Sequence, residues 1–176
     1  WLRESTGEHD NVLIYYAGHG VLDQVEGSWV PVEGRESTYV ANSTIKAQIG
    51  ALKAKHVYLV SDSCFAGSLL ASATRSASPL ITDTERYYQE VYSQKSRQAV
   101  TSGGIESVSD EGYDGHSIFA YYFLKALENN NSRYLDAGNL YNQIKIPVIN
   151  NSEQTPKIAP IKNTGDEGGQ FLFIKK

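Results

Sequence analysis

Two residue types that together can cut an acyl bond stand at two strand ends of this 176-residue chain. His19 lies in Gly18-His19-Gly20, directly after the apolar run NVLIYYA (Asn11–Ala17). Cys64 lies in Asp62-Ser63-Cys64-Phe65-Ala66-Gly67, directly after the run HVYLVS (residues 56–61). Cysteine and histidine are the minimal pair for nucleophilic acyl transfer: the thiolate attacks the carbonyl and the imidazole moves the protons. The developing oxyanion needs backbone N–H donors. The N–H groups of Gly20 and Cys64 are the candidates, because Gly20 has no Cβ to hold a substrate away. Cys64 is expected to open a helix, whose N-terminal dipole would favour the thiolate.

Each residue alone has a plainer reading. A lone Cys is most often a small buried apolar group, and a His between glycines is most often part of a turn. The joint placement favours chemistry, since ligands in parallel sheets bind at the carboxyl ends of strands. The other histidines fit less well. His9 precedes its strand, His56 begins its strand at the wrong end, and His116 opens a helix.

The elements that must position this pair follow from periodicity. NVLIYYA and HVYLVS are continuous apolar, β-branched and aromatic runs, as expected of strands buried on both faces of a parallel sheet. Residues 1–7 read as the end of a helix with Gly7 as its cap. A small hairpin is expected around Trp29-Val30-Pro31-Val32. Residues 41–52 place Ile45, Ile49 and Leu52 on one helical face. Residues 98–102 (QAVTS) read as a third strand, 105–115 as an acidic loop, and 117–127 as an amphipathic helix. Asp136 caps a further helix carrying Leu140 and Ile144, with Pro147 after its end. Residues 150–169 read as irregular, and 170–175 (QFLFIK) as a closing strand. Residues 84–94 are polar and Tyr-rich, without a clear period. The alternation of strand and helix argues an α/β fold in a single domain, residues 1–176.

Composition excludes other classes. The net charge is −4 with scattered basic residues, so no nucleic-acid footprint is present. No apolar run is long enough to span a membrane. One cysteine cannot form an internal disulfide, and no Cys/His cluster has zinc spacing. A reducing, cytoplasmic setting is expected.

Tyr15-Tyr16-Ala17-Gly18-His19-Gly20, with Cys64 lying 45 residues after His19 in Asp62-Ser63-Cys64-Phe65-Ala66-Gly67, resembles the caspase-like cysteine peptidases. The likeness is nearest to their bacterial and metacaspase (orthocaspase) branch. Animal caspases carry Gln-Ala-Cys, with the His roughly 50 residues upstream. Metacaspases have an Asp two residues before the Cys, where Asp62 stands. Thr101-Ser102-Gly103 and the stretch from Gly115-His116-Ser117 to Tyr122 resemble the later core of bacterial members. Residues 170–175 match a final strand. The resemblance implies a caspase-like sandwich, with a mainly parallel central sheet and helices on both faces. That fold has six main strands and this sequence shows four. The N-terminal pair is therefore expected upstream, and an upstream part of the same domain or a partner chain is expected to complete the sheet. Two neighbours depart from the metacaspase pattern: Ala17 stands where Ser is usual, and Phe65-Ala66 where His-Ser is common. Metacaspases often use calcium through an Asp cluster. None is assignable here, so no metal or other cofactor is expected and calcium activation stays open.

For activity, the resemblance implies an endopeptidase acting on a polypeptide substrate. Cys64 is the nucleophile, His19 the general acid/base, and no third catalytic residue is required. In metacaspases the Asp at the position of Asp62 reads a basic side chain. Counting back from Asp114-Gly115 puts Asp110 where animal caspases carry the Arg that holds a substrate Asp. Residues 106–114 hold Glu106, Asp110, Glu111 and Asp114 and no basic residue. Cleavage after Arg or Lys is expected, since a substrate carboxylate would be buried against carboxylates. Asp62 could instead cap a helix, and Asp110 could be solvated surface. Two other readings stay open: a non-catalytic caspase-like scaffold, and a peptidase cutting after Asp. Caspase-like enzymes often cut themselves after the Cys-bearing strand. Here that segment includes ASATRSASP (residues 71–79), with Arg75 at its centre and Arg86, Lys95 and Arg97 as less exposed alternatives.

Overall fold

The two apolar runs become neighbouring parallel strands with their ends level. The computed structural model describes residues 1–23, 26–64, 66–71, 84–103 and 112–175. Arg75 and the acidic residues Glu106, Asp110 and Glu111 lie outside these. A short helix α1 (Leu2–Ser5) leads into β1 (Asn11–Ala17). Three strands follow, β2 (Gly20–Asp23), β3 (Glu26–Trp29) and β4 (Val40–Ala41), and then α2 (Asn42–Gly50). Next come β5 (His56–Asp62), a 3-10 turn (Ala66–Leu69), α3 (Thr84–Ser93) and β6 (Ser96–Thr101). A small hairpin, β7 (Gly112–Tyr113) and β8 (His116–Ser117), precedes α4 (Ile118–Glu128). The chain continues through β9 (Tyr134–Asp136), α5 (Ala137–Asn151), β10 (Lys157–Pro160) and β11 (Leu172–Ile174).

The central sheet has the order β1-β5-β6-β10 among the described residues. β1, β5 and β6 run parallel, and β10 is antiparallel to β6. Every residue of β5 and β6 is buried, as expected where both faces are covered. One face packs Tyr58, Val60 and Val100 against Phe119, Phe123, Leu140, Ile144 and Val148 of α4 and α5. The other packs Val12, Val57, Leu59 and Ala99 against Ile45 and Ile49 of α2. The expected α/β architecture, with a mainly parallel sheet and helices on both faces, is what the chain forms.

Several local expectations need correction. β1 is not buried on both faces. It ends the sheet, and although Leu13 and Tyr15 share a face with Tyr58 and Val60, they remain 46% and 42% exposed. From α4, Phe123 meets the Tyr15 ring edge-on at 5.9 Å. Cys64 does not open an α-helix: a four-residue 3-10 turn follows it, too short to build a helix dipole. Residues 84–93 are helical. Pro147 lies inside α5, because Leu140, Ile144 and Val148 form one buried stripe that carries the helix past the missing N–H. Residues 150–169 contain β10, and β11 pairs with β9 rather than with the main sheet. The hairpin, β2 with β3, starts earlier than expected, at Gly20.

Arg97 is unavailable as a cleavage point. It lies buried in β6, where its guanidinium donates to the carbonyls of Leu52, Ala54, Lys55 and Ser96 at 2.7–3.1 Å. No helix among the described residues is long and apolar enough to cross a membrane.

Candidate active site

The parallel register sets the geometry. Ala17 of β1 lies opposite Asp62 of β5, and the Gly18 N–H extends the ladder by donating to the Asp62 carbonyl at 3.2 Å. The next residues on each strand, Gly18-His19-Gly20 and Ser63-Cys64, therefore emerge side by side. They open into a cavity of about 420 Å³ whose lining includes Tyr15, His19, Asp62, Cys64, His116 and Ser117. His19 is exposed and Cys64 half-buried.

Gly20 meets Cys64 backbone to backbone. A Cβ built on Gly20 would overlap the Cys64 carbonyl oxygen, and would lie 3.0 Å from the carbonyl carbon and 3.3 Å from the nitrogen. Only glycine permits this approach. The turn carrying His19 is braced from below by Tyr16. The Tyr16 hydroxyl lies 2.8 Å from the His19 carbonyl and 3.0 Å from the Val30 carbonyl, and accepts the Val30 N–H at 3.1 Å. The Tyr16 ring stacks on Trp29 with centroids 4.1 Å apart. Gly18 leaves room for that hydroxyl, which would sit 2.9 Å from a Cβ placed there. The histidine turn is thus tied to the hairpin, β2 with β3, by the Val30 N–H, which donates to the His19 carbonyl at 2.9 Å, and by the Tyr16 phenol.

Asp62 is 5% exposed. Its Oδ2 accepts the Ser117 hydroxyl, and its Oδ1 is buried with no hydrogen-bond partner. Burial raises its pKa, while the hydroxyls of Ser117 and Ser102 favour the charged form and hold the rise back. The Ser102 hydroxyl exerts this pull from nearby without forming a hydrogen bond of normal geometry. Tyr15 is pushed above the ordinary phenol range, chiefly by burial and then by the charge of Asp62. Asp62 caps no helix; Ser117 caps α4 by accepting the Ala120 N–H at 2.9 Å.

Of the residues read from sequence, His19, Asp62 and Cys64 line this cavity, and Gly20 lies against the Cys64 backbone. Asp110 and Arg75 fall outside the described residues. Asp114 is exposed in the turn between β7 and β8, with φ of 55°. Three contributors escaped the sequence reading. His116 lines the cavity rather than merely opening a helix, because β7 and β8 fold over the carboxyl ends of β1 and β5. Ser117, read only as the start of a helix, caps α4 and also binds Asp62. Tyr16 looked like strand packing. His9 lies at another cavity, with Glu8, Lys53, Lys55 and Lys95. His56 is a core residue, with Nδ1 2.9 Å from Ser96 Oγ and Nε2 3.2 Å from the Tyr92 carbonyl. Burial drives its pKa down to about 4. Among the described residues no group of three or more His, Cys, Asp or Glu side chains is placed to hold a metal ion.

No curated protein matches the chain. The family model of the caspase domain, a cysteine peptidase family, matches residues 1–166. With the α/β sheet and the strand-end cavity, this match places the chain in the caspase-domain family.

Proposed function

We propose that the chain is a cysteine endopeptidase that cleaves polypeptides after Arg or Lys through a dyad of Cys64 and His19. The observation that carries the reading is the single cavity lined by Cys64, His19 and the buried carboxyl of Asp62. His19 takes the thiol proton, and Cys64 Sγ attacks the scissile carbonyl carbon. The N–H groups of Gly20 and Cys64 hold the resulting oxyanion. His19 then returns the proton to the amine as the C–N bond breaks, leaving a thioester on Cys64. Water attacks the thioester and gives its proton to His19. As the C–S bond breaks, the acid product leaves and loses its proton to solvent, and His19 returns its proton to the Cys64 thiolate, which restores the dyad.

Asp62 supplies the specificity. A buried carboxylate oxygen without a partner is costly when empty and favourable when it meets a cation. A substrate carboxylate in the same place would be repelled, which argues against cutting after Asp. A scaffold would have no use for Cys64 and His19 in one cavity. Self-cleavage at Arg75 follows from the same specificity, and would show as a new terminus after Arg75 that the Cys64→Ala protein never forms.

The test is a peptide panel differing only at the residue before the cut, assayed with wild type and with Asp62→Asn. Wild type should prefer Arg and Lys over neutral residues and Asp by at least about 100-fold, and Asp62→Asn should erase most of that preference. Efficient cutting after Asp, or an unchanged preference in Asp62→Asn, would refute the assignment of Asp62.

A further inference from the structure

Asp62 is only half satisfied, and the reason lies in α4. The Ser117 oxygen accepts the Ala120 N–H at 2.9 Å as the cap of α4. A hydroxyl has one proton, and that of Ser117 goes to Asp62 Oδ2. The helix end therefore orients the hydroxyl, and the hydroxyl orients the carboxyl. One oxygen, Oδ1, is left buried without a hydrogen-bond partner, on a residue that lines the cavity.

We propose that Ser117 is a positioning residue that sets how Asp62 discriminates Arg from Lys: by occupying Oδ2, it leaves a single acceptor that serves both cations about equally. The inference rests on the reading of Asp62 as the group that meets the substrate cation. Guanidinium gains its advantage over ammonium by binding both carboxylate oxygens with two parallel N–H groups. With Oδ2 held by Ser117, only one arm of that fork finds Asp62. Lysine is a compact point charge and loses nothing by the arrangement. Removing the hydroxyl frees Oδ2, so arginine gains a second charge-assisted bond and lysine does not.

The test is a competition between two peptides, identical except for Arg or Lys before the cut, followed by mass spectrometry in one tube. The ratio of the two rates does not depend on how much enzyme is folded, so the weakened cap does not move it. Ser117→Ala and Ser117→Gly both lack the hydroxyl, and glycine retains most of the capping preference. Ser117→Thr keeps the hydroxyl. Wild type and Ser117→Thr should cut the two peptides within about threefold of one another, and both hydroxyl-free variants should shift the ratio roughly tenfold toward Arg. An unmoved ratio in both hydroxyl-free variants, or an equal shift in Ser117→Thr, overturns the proposal. Asp62→Asn in the same tube, with a neutral peptide added, separates the two readings. If it loses its preference for both cations over the neutral peptide, Asp62 reads the substrate and the Ser117 result stands on its own. If the preference survives, the reading of Asp62 fails and this proposal falls with it.

Discussion

Replacing Gly20 by Ala tests whether the histidine turn and the cysteine backbone meet as closely as the proposed oxyanion site requires. The added methyl would overlap the Cys64 carbonyl oxygen and lie 3.0 Å from its carbon. An unstrained pair of carbon atoms sits at about 3.5–4.0 Å. The obstructing atoms belong to the backbone, so no rotamer change relieves the overlap. The histidine turn and the Cys64 strand end must part by roughly 1 Å. Strain of this kind costs about 1–3 kcal/mol of stability, a fall of several degrees in Tm. The catalytic cost is larger. Misplacing a donor by roughly 1 Å, or losing it from an oxyanion site, lowers kcat by about 100-fold. The assay is steady-state cleavage of a fluorogenic peptide ending in Arg, with thermal unfolding followed by circular dichroism. The expected result is a folded protein with kcat reduced about 100-fold and a KM changed by less than about threefold. A Gly20→Ala protein with wild-type Tm and wild-type kcat would refute the close approach and the oxyanion role with it.

The Tyr16 brace predicts that Tyr16→Phe keeps the stack on Trp29 but removes one of the two donors to the His19 carbonyl, leaving the Val30 N–H at 2.9 Å. It should lower Tm by a few degrees, for a loss of about 1 kcal/mol. It should also cut kcat roughly tenfold while KM stays put; a loss of Tm with unchanged kcat would make the phenol purely structural. Gly18→Ala crowds the same hydroxyl and should shift kcat in the same direction. His56 supplies a pH dependence. The unfolded chain binds a proton near pH 6.5 that the folded chain refuses until about pH 4. Stability therefore falls as pH drops through that window, by up to about 3 kcal/mol. Urea unfolding at pH 7 and pH 4.5 should show this fall in wild type and a smaller one in His56→Asn; equal falls would contradict the burial of a neutral imidazole.

The strands that carry the site were legible because β5 is buried between two helical layers and β1, paired beside it, carries the same kind of apolar run. Such strands appear in sequence as unbroken runs, as NVLIYYA and HVYLVS do, and the residues just past their ends are where a parallel sheet presents chemistry. The incomplete cover on β1 was not legible. Leu13 and Tyr15 have the same character as Tyr58 and Val60, and their exposure goes with the place of β1 at the end of the sheet order among the described residues. β10 was hidden because KIAP is four residues long, contains proline, and depends on an antiparallel partner more than fifty residues earlier in the chain. The pairing of β11 with β9 is likewise non-local. In the site, His19, Asp62 and Cys64 announce themselves by type and position. His116 and Tyr16 act through where β2, β3, β7 and β8 fold back, which no spacing rule encodes. Ser117 was read only as the start of a helix, and its bond to Asp62 crosses from α4 to β5 and appears only when the two are packed.

The most direct measurement uses the presence of a single cysteine. The protein is treated with a peptidyl acyloxymethyl ketone bearing Arg at the reactive end, and intact mass and peptide mapping follow. The account predicts one inhibitor per chain, attached to Cys64, with far slower labelling by the matched Asp reagent and none in His19→Ala. Failure of the Arg reagent to label Cys64 where iodoacetamide labels it, or faster labelling by the Asp reagent, would contradict it.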